Sequence, residues 1–198
     1  MNAEKKNYKK NYLKFFLAII LCLLARFIPF RAPNVEPIFA TMMPMSRAYG
    51  AMAGFSFAVL SILLYDMLTH TLGMQTFFTA GAYGILGLWA VKYFSAKGGS
   101  ASGGDKNQAN KWSYVRFAII GTLFYDALTG LTVGPIFFHQ SFLTSLAGQI
   151  PFTLLHLISN IAFALVLSPA IYDFLIKKPE KKKEKIAPLI NILNPKII

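Results

Sequence analysis

The sequence predicts an all-α integral membrane protein of six transmembrane helices arranged as two similar halves. Three observations carry this. First, 55% of the 198 residues are hydrophobic and 15% aromatic, against 14% charged, a composition suited to lipid. Second, the basic residues gather in the first fourteen positions, in the 92–116 region and in 177–185, with apolar spans between them. This is the pattern of cytoplasmic flanks under the positive-inside rule. Third, Leu63-Leu64-Tyr65-Asp66-Met67-Leu68-Thr69 returns sixty positions later as Leu123-Phe124-Tyr125-Asp126-Ala127-Leu128-Thr129. Each copy is followed by a glycine, Gly73 or Gly134, and then by a phenylalanine pair.

The net charge of +12 does not point to nucleic acid, because apolar spans separate the clusters; they suit anionic lipid instead. The lone Cys22 excludes an intrachain disulfide. Lysines ahead of an apolar run resemble a signal peptide, but no small-residue cleavage site follows, so the run reads as a retained first helix.

A basic N-terminus, 1–11, precedes a membrane domain over 12–176. The first span, about Tyr12–Phe30, is long enough to cross a bilayer and starts on the cytoplasmic side. The proline-rich turn from Pro29 to Pro37 ends it. A shorter helix, about Glu36–Arg47, begins with Pro37 at its first position and contains Pro44. Gly50 and Gly54 open the third helix, about Ala51–Leu72, with a small face. The fourth, about Thr76–Ser95, carries Gly81, Gly84 and Gly87. Residues 96–112 form a flexible cytoplasmic linker between the halves. Its Gly99-x-x-x-x-Gly104-Asp105-Lys106 has phosphate-loop spacing without the lysine in place or a preceding strand. The fifth span runs from about Ser113 to Leu131 and the sixth from about Ile150 to Ile176. A basic tail, 177–198, follows, whose apolar segment 186–198 suits the membrane surface or a partner. Both termini are expected in the cytoplasm and the chain in the cell membrane.

An intramembrane carboxylate costs roughly 2.5 to 3.5 kcal/mol even on lenient scales and marks a functional site by default. With these helix ends, Asp66, Asp126 and His156 each lie roughly 8 to 9 Å inside the outer boundary. Asn160 stands one turn from His156 on the same face. Tyr65, Tyr125, Thr69 and Thr129 add hydroxyls. Two readings fit this layer: the floor of an outward-facing pocket, or hydrogen-bonded glue between helices. The Asp and His residues would be acceptable metal ligands, but no short-range ligand spacing accompanies them, and no metal or cofactor is expected. Ser159 beside His156 is not a dyad, since neighbours on a helix point apart, so no enzymatic activity is expected. Arg26 either snorkels at the interface or caps the pocket. Two carboxylates without an intramembrane lysine favour a cationic or donor-rich solute.

The run Arg26-Phe27-Ile28-Pro29-x-x-x-Pro33-Asn34-Val35-x-Pro37 is followed by an Asp-bearing helix, a glycine-rich helix and a second Asp-bearing helix. The chain then reads Ala147-Gly148-Gln149-Ile150-Pro151-Phe152-x-x-Leu155-His156-x-x-x-Asn160-x-x-Phe163-Ala164-Leu165. Over residues 12–176 this resembles a substrate-binding S component of an energy-coupling factor (ECF) transporter. The resemblance implies a six-helix subunit that captures a vitamin or related micronutrient from outside. Its partners would be a transmembrane coupling subunit and two cytoplasmic ATPases. Arg26, Asn34 and Glu36 would then lie in a loop covering the solute. The Ala-x-x-x-Ala face that such subunits commonly turn to the coupling subunit is replaced here by Ala18, Cys22 and Ala25. The competing class is a ligand-free membrane scaffold.

Overall fold

In a computed structural model, the backbone is described for residues 2–30, 34–96 and 111–176, and the side chains for 11–30, 34–95 and 111–175. The expected linker, the basic tail and most of the basic N-terminus lie outside the residues with described side chains. The described residues form six helices and no strand: α1 (Asn2–Arg26), α2 (Ile38–Tyr49), α3 (Ala51–Leu68), α4 (Met74–Ala96), α5 (Lys111–Phe138) and α6 (Phe142–Ile176). Three of them, α3, α5 and α6, are long and apolar enough to cross a membrane. This is a membrane protein.

Short α2 is the centre of the bundle. Every residue from Ile38 to Arg47 is buried, and the helix packs against each of the other five. A helix apolar all round belongs in a core, and α2 meets that description except at Thr41, Ser46 and Arg47. Three of its polar features meet partners on neighbouring helices. Pro44 has no N–H, so the carbonyl of Ala40 one turn earlier loses its helical donor. Ser168 Oγ of α6 donates to that carbonyl at 2.7 Å. Ser46 Oγ donates to the Gly87 carbonyl of α4 at 2.9 Å. Arg47 lies over the Tyr172 ring, 4.5 Å from its centroid, with Phe94 and Tyr114 beside it.

The glycines divide by role. A Cβ on Gly87 would come within 2.7 Å of the Gly54 backbone, and one on Gly54 would collide with Ser46. The α2, α3 and α4 backbones therefore meet at Ser46, Gly54 and Gly87. Gly50 instead supplies a backbone turn between α2 and α3, at φ 93°. Gly81, expected on the small face, has open space around it.

The largest departures from the expected helix ends are at α1, which spans Asn2–Arg26 rather than about Tyr12–Phe30, and at three further ends. Helix α3 stops at Leu68 in a Schellman motif: His70 adopts φ 56°, its N–H reaches the Met67 carbonyl, and the Thr71 N–H reaches the Asp66 carbonyl at 2.9 Å. Helix α5 runs on to Phe138 through Pro135. Helix α6 begins at Phe142 rather than Ile150, with Ser141 as its cap: Ser141 Oγ accepts the Thr144 N–H at 3.1 Å. At the far end of α6, Lys14 Nζ of α1 donates to the carbonyls of Phe174 and Leu175 at 2.6 and 2.7 Å, placing a cation at a helix C-terminus where it is favoured. The lysine-flanked part of α1 and the end of α6 thus share one end of the bundle.

Ser168→Ala leaves the Ala40 carbonyl buried and unsatisfied, and is expected to cost about 1–3 kcal/mol. In a Pro44→Ala background, where a helical N–H is restored, the same change should cost markedly less. A double-mutant cycle on thermal unfolding of the detergent-purified chain measures this; equal costs in both backgrounds would refute the pairing.

Candidate functional site

Helices α5 and α6 run antiparallel, and two polar residues on each form a ladder across their interface. His156 Nδ1 lies 2.8 Å from Asp126 Oδ1. One turn further along both helices, Asn160 Nδ2 donates to Thr122 Oγ1 at 2.8 Å. All four side chains are buried, Asp126 and Asn160 to 1% exposure. The spacing follows from helix geometry: Thr122 and Asp126, like His156 and Asn160, are four residues apart and share a face. Two acceptors on this ladder, Asp126 Oδ2 and Asn160 Oδ1, have no hydrogen-bond partner.

His156 continues the network towards the segment between α1 and α2. Its Nε2 lies 3.4 Å from the Tyr83 hydroxyl of α4, which donates to Glu36 Oε1 at 3.3 Å. Glu36 Oε2 pairs with Arg26 Nε of α1 at 3.1 Å. Arg26 also donates from Nη1 to the Ser61 carbonyl of α3 at 2.9 Å, and its guanidinium stacks 3.8 Å from the centroid of Tyr65. The same segment is pinned to α6: Ser159 Oγ donates to the Asn34 carbonyl at 2.7 Å, and Asn34 Nδ2 reaches the Phe152 carbonyl at 3.4 Å. Asn34 sits at φ 64°, a left-handed conformation that Asn tolerates better than most residues.

The two copies of the repeat do not occupy equivalent places. Asp126 is in the middle of α5, whereas Asp66 lies within the last turn of α3 and accepts a 2.7 Å hydrogen bond from Thr76 Oγ1. Thr76 also accepts the Gly73 N–H at 3.1 Å, so Asp66 closes the α3–α4 corner. Thr76 stands two turns before Tyr83 on α4, roughly 10 Å along the axis. The expected single level of Asp66, Asp126 and His156 therefore does not form: the observed ends put Asp126 and His156 deep in their helices and Asp66 at a helix terminus. Thr69 and Thr129 each bond to the carbonyl one turn back, those of Tyr65 and Tyr125. Tyr125 packs its ring 4.3 Å from Tyr83 and edge-on to His156.

Among the predicted residues, then, Arg26, Glu36, Asp126 and His156 join one chain of contacts. Asn34 and Asn160 border it, and Tyr65 and Tyr125 pack against it. Tyr83, Thr122 and Ser159 are functional candidates that sequence reasoning did not place. Tyr83 was findable as the one hydroxyl within the Gly81-Ala82-Tyr83-Gly84 stretch. The predicted docking stripe requires correction. Cys22 is 3% exposed and Ala18 packs on the core, so both face inward because their small size lets α1 approach the bundle; Ala25 is half-buried. The outer face of α1 is instead Leu13, Leu17, Ile20 and Leu24. Among the described residues, no three His, Cys, Asp or Glu side chains group to hold a metal ion.

The asymmetry of the repeat gives a direct expectation. His156→Leu strands a buried carboxylate and should cost about 3–5 kcal/mol. Asp66→Asn keeps an acceptor for Thr76 and should cost less than about 1 kcal/mol. Thermal unfolding of the two variants decides between this and equivalent roles for the two copies, which would predict losses of similar size from both.

No protein-family model, curated protein or solved structure matches this chain, so its functional reading rests on the chemistry of this site.

Proposed function

We propose that the chain is the solute-binding S component of an ECF-type importer. In this reading it spans the cell membrane six times with both termini in the cytoplasm. It captures a vitamin-like micronutrient from outside and leaves ATP hydrolysis to two partner ATPases joined through a coupling subunit. The observation that carries the reading is the pair of unpartnered acceptors, Asp126 Oδ2 and Asn160 Oδ1, on two of the most deeply buried polar side chains. A buried acceptor without a donor costs about 1–3 kcal/mol, and a solute that brings N–H or O–H groups removes that cost. A buried polar group without a partner calls for an explanation, and a bound ligand is one.

The surroundings narrow the chemistry. Arg26 is already paired with Glu36, and the side chain that meets Asp126 is His156. An anionic group would meet the Asp126 carboxylate and the bare Asn160 Oδ1 here, so the site favours a cationic or donor-rich solute. The covering segment suits entry control, since Asn34 and Glu36 tie it to α6 and α4 by a few polar contacts rather than by a packed apolar face. With Cys22 buried and Ala18 partly buried, docking of a coupling subunit would use the exposed Leu13, Leu17, Ile20 and Leu24 face of α1.

A second reading, a ligand-free scaffold, is favoured by the satisfied part of the same ladder. Asn160 with Thr122 is an interhelical bond of the kind that holds membrane bundles together, as is Ser168 with Ala40 elsewhere in the bundle, and Ser159 ties the Asn34 segment to α6.

Native mass spectrometry of the full chain, released gently from detergent, separates the two. The solute reading expects a bound small molecule rich in hydrogen-bond donors, lost in Asp126→Asn while the chain stays folded. An apo mass that stays apo against a panel of vitamins and amines supports the scaffold.

A further inference from the structure

The contacts from Arg26 to Asp126 form one line through five structural elements, and the number of protons on it decides which contacts hold. The short 2.8 Å approach of His156 Nδ1 to Asp126 Oδ1 needs one proton between the two atoms. Tyr83 has a single O–H, yet its oxygen lies 3.3 Å from Glu36 Oε1 and 3.4 Å from His156 Nε2. If His156 Nε2 also carries a proton, it donates to Tyr83, and Tyr83 donates to Glu36. Every link is then made, with Asp126 and His156 together neutral and Arg26 balancing Glu36. With one proton fewer, Nε2 is an acceptor, and the Tyr83 O–H must serve either Nε2 or Glu36. One link is lost, and Asp126 is left as an uncompensated charge.

We propose that the Asp126–His156 pair is a proton-binding site whose occupancy is read by the Tyr83 hydroxyl and passed to Glu36, so that one bound proton seats the 34–37 segment on the bundle. The proton comes from solvent and returns to it, and only N–H and O–H bonds change. The groups that set the balance come from every packed element. They are Arg26 of α1, Glu36 of the segment itself, Tyr65 and Asp66 of α3, Tyr83 of α4, Tyr125 and Asp126 of α5, and His156 of α6. Tyr65 acts through its stack on Arg26, and Asp66 is engaged with Thr76. The titratable residues of α2, Arg47 and Tyr49, lie at the other end, against Tyr172 and the Leu175 carbonyl.

Seating and protonation are reciprocal: what favours one favours the other by the same factor. The sign follows from the links. Lower pH loads the pair and seats the segment; higher pH unloads it and frees Glu36 from Tyr83. The coupling rests on this geometry and holds with or without a solute, so it can fail while the importer reading stands, and the reverse.

The test uses the full chain in lipid nanodiscs. Imidazole 15N shifts report protonation of each nitrogen of His156, assigned against His156→Gln because the chain also has His70 and His139. Hydrogen exchange of the 34–36 amides, corrected for its intrinsic pH dependence, reports seating. The expected result is a rise in protection of about tenfold, the usual scale of coupling between sites, sharing its midpoint with the His156 titration. In Tyr83→Phe, His156 still titrates but protection no longer follows pH. Should that variant not fold, Glu36→Gln serves, because an amide can accept from or donate to Tyr83 and keeps the segment seated in both states. Three results would each overturn the proposal: protection that stays flat while His156 titrates, a pH response that persists in both variants, or a His156 that keeps one protonation state across about pH 5 to 8.

Discussion

An ionisable pair inside an apolar bundle has few ways to exist, and the rest of this structure depends on the way taken by Asp126 and His156. Neither group has water to fall back on, so each must find its partners among neighbouring helices. Their contact fixes the rotation of α5 against α6. Four residues further along, Asn160 and Thr122 repeat the crossing. Once that register is set, the other ring nitrogen of His156 must point somewhere, and it points at Tyr83. The line to Glu36 and Arg26 follows from the need to satisfy each group in turn. A site and a set of helix contacts are here the same atoms, which is why a binding reading and a packing reading both draw on them.

The same accounting explains how a twelve-residue helix can lie at the centre. A buried helix must hide its termini and any break in its hydrogen bonding. Pro44 makes such a break, and Ser168 repairs it from α6. Gly54 and Gly87 let three backbones meet where Ser46 needs an acceptor. Arg47 would be prohibitive as a bare charge, but it is wrapped by the faces of Tyr172, Phe94 and Tyr114, which attract a cation. The surrounding helices therefore carry small and hydroxyl residues at positions that α2 dictates. Their outward faces, such as Leu143, Leu154, Ile158 and Val166 of α6, are free to be apolar and exposed, as lipid contact requires.

Much of the architecture was legible because hydropathy reports burial in lipid directly. The helical class came from that signal, and so did the choice of Asp126 and His156, polar residues inside apolar spans. Helix ends were less legible, for a physical reason visible at one pair of positions. A glycine after an apolar run reads as a stop, and Gly130 stands where the second copy of the repeat should end. Yet Gly130 is helical, and its missing Cβ makes room for the side chain of Gln149. The actual stop falls in the first copy, at His70, which takes the left-handed conformation despite its side chain. Ser141 carries the capping signal for α6, about eight residues ahead of the start expected near Ile150.

The repeat then has a simple physical account. Identical Tyr-Asp sequences meet different continuations: after Asp66 the chain turns within one helical turn and brings back Thr76, a donor placed to satisfy the carboxylate locally. After Asp126 the helix continues, so no donor returns from its own strand of sequence, and the residue ten positions on, Ile136, has none to give. Asp126 must be satisfied from another helix, and His156 satisfies only one of its two oxygens. The first copy closes on itself and becomes a corner. The second stays open by one acceptor, Asp126 Oδ2.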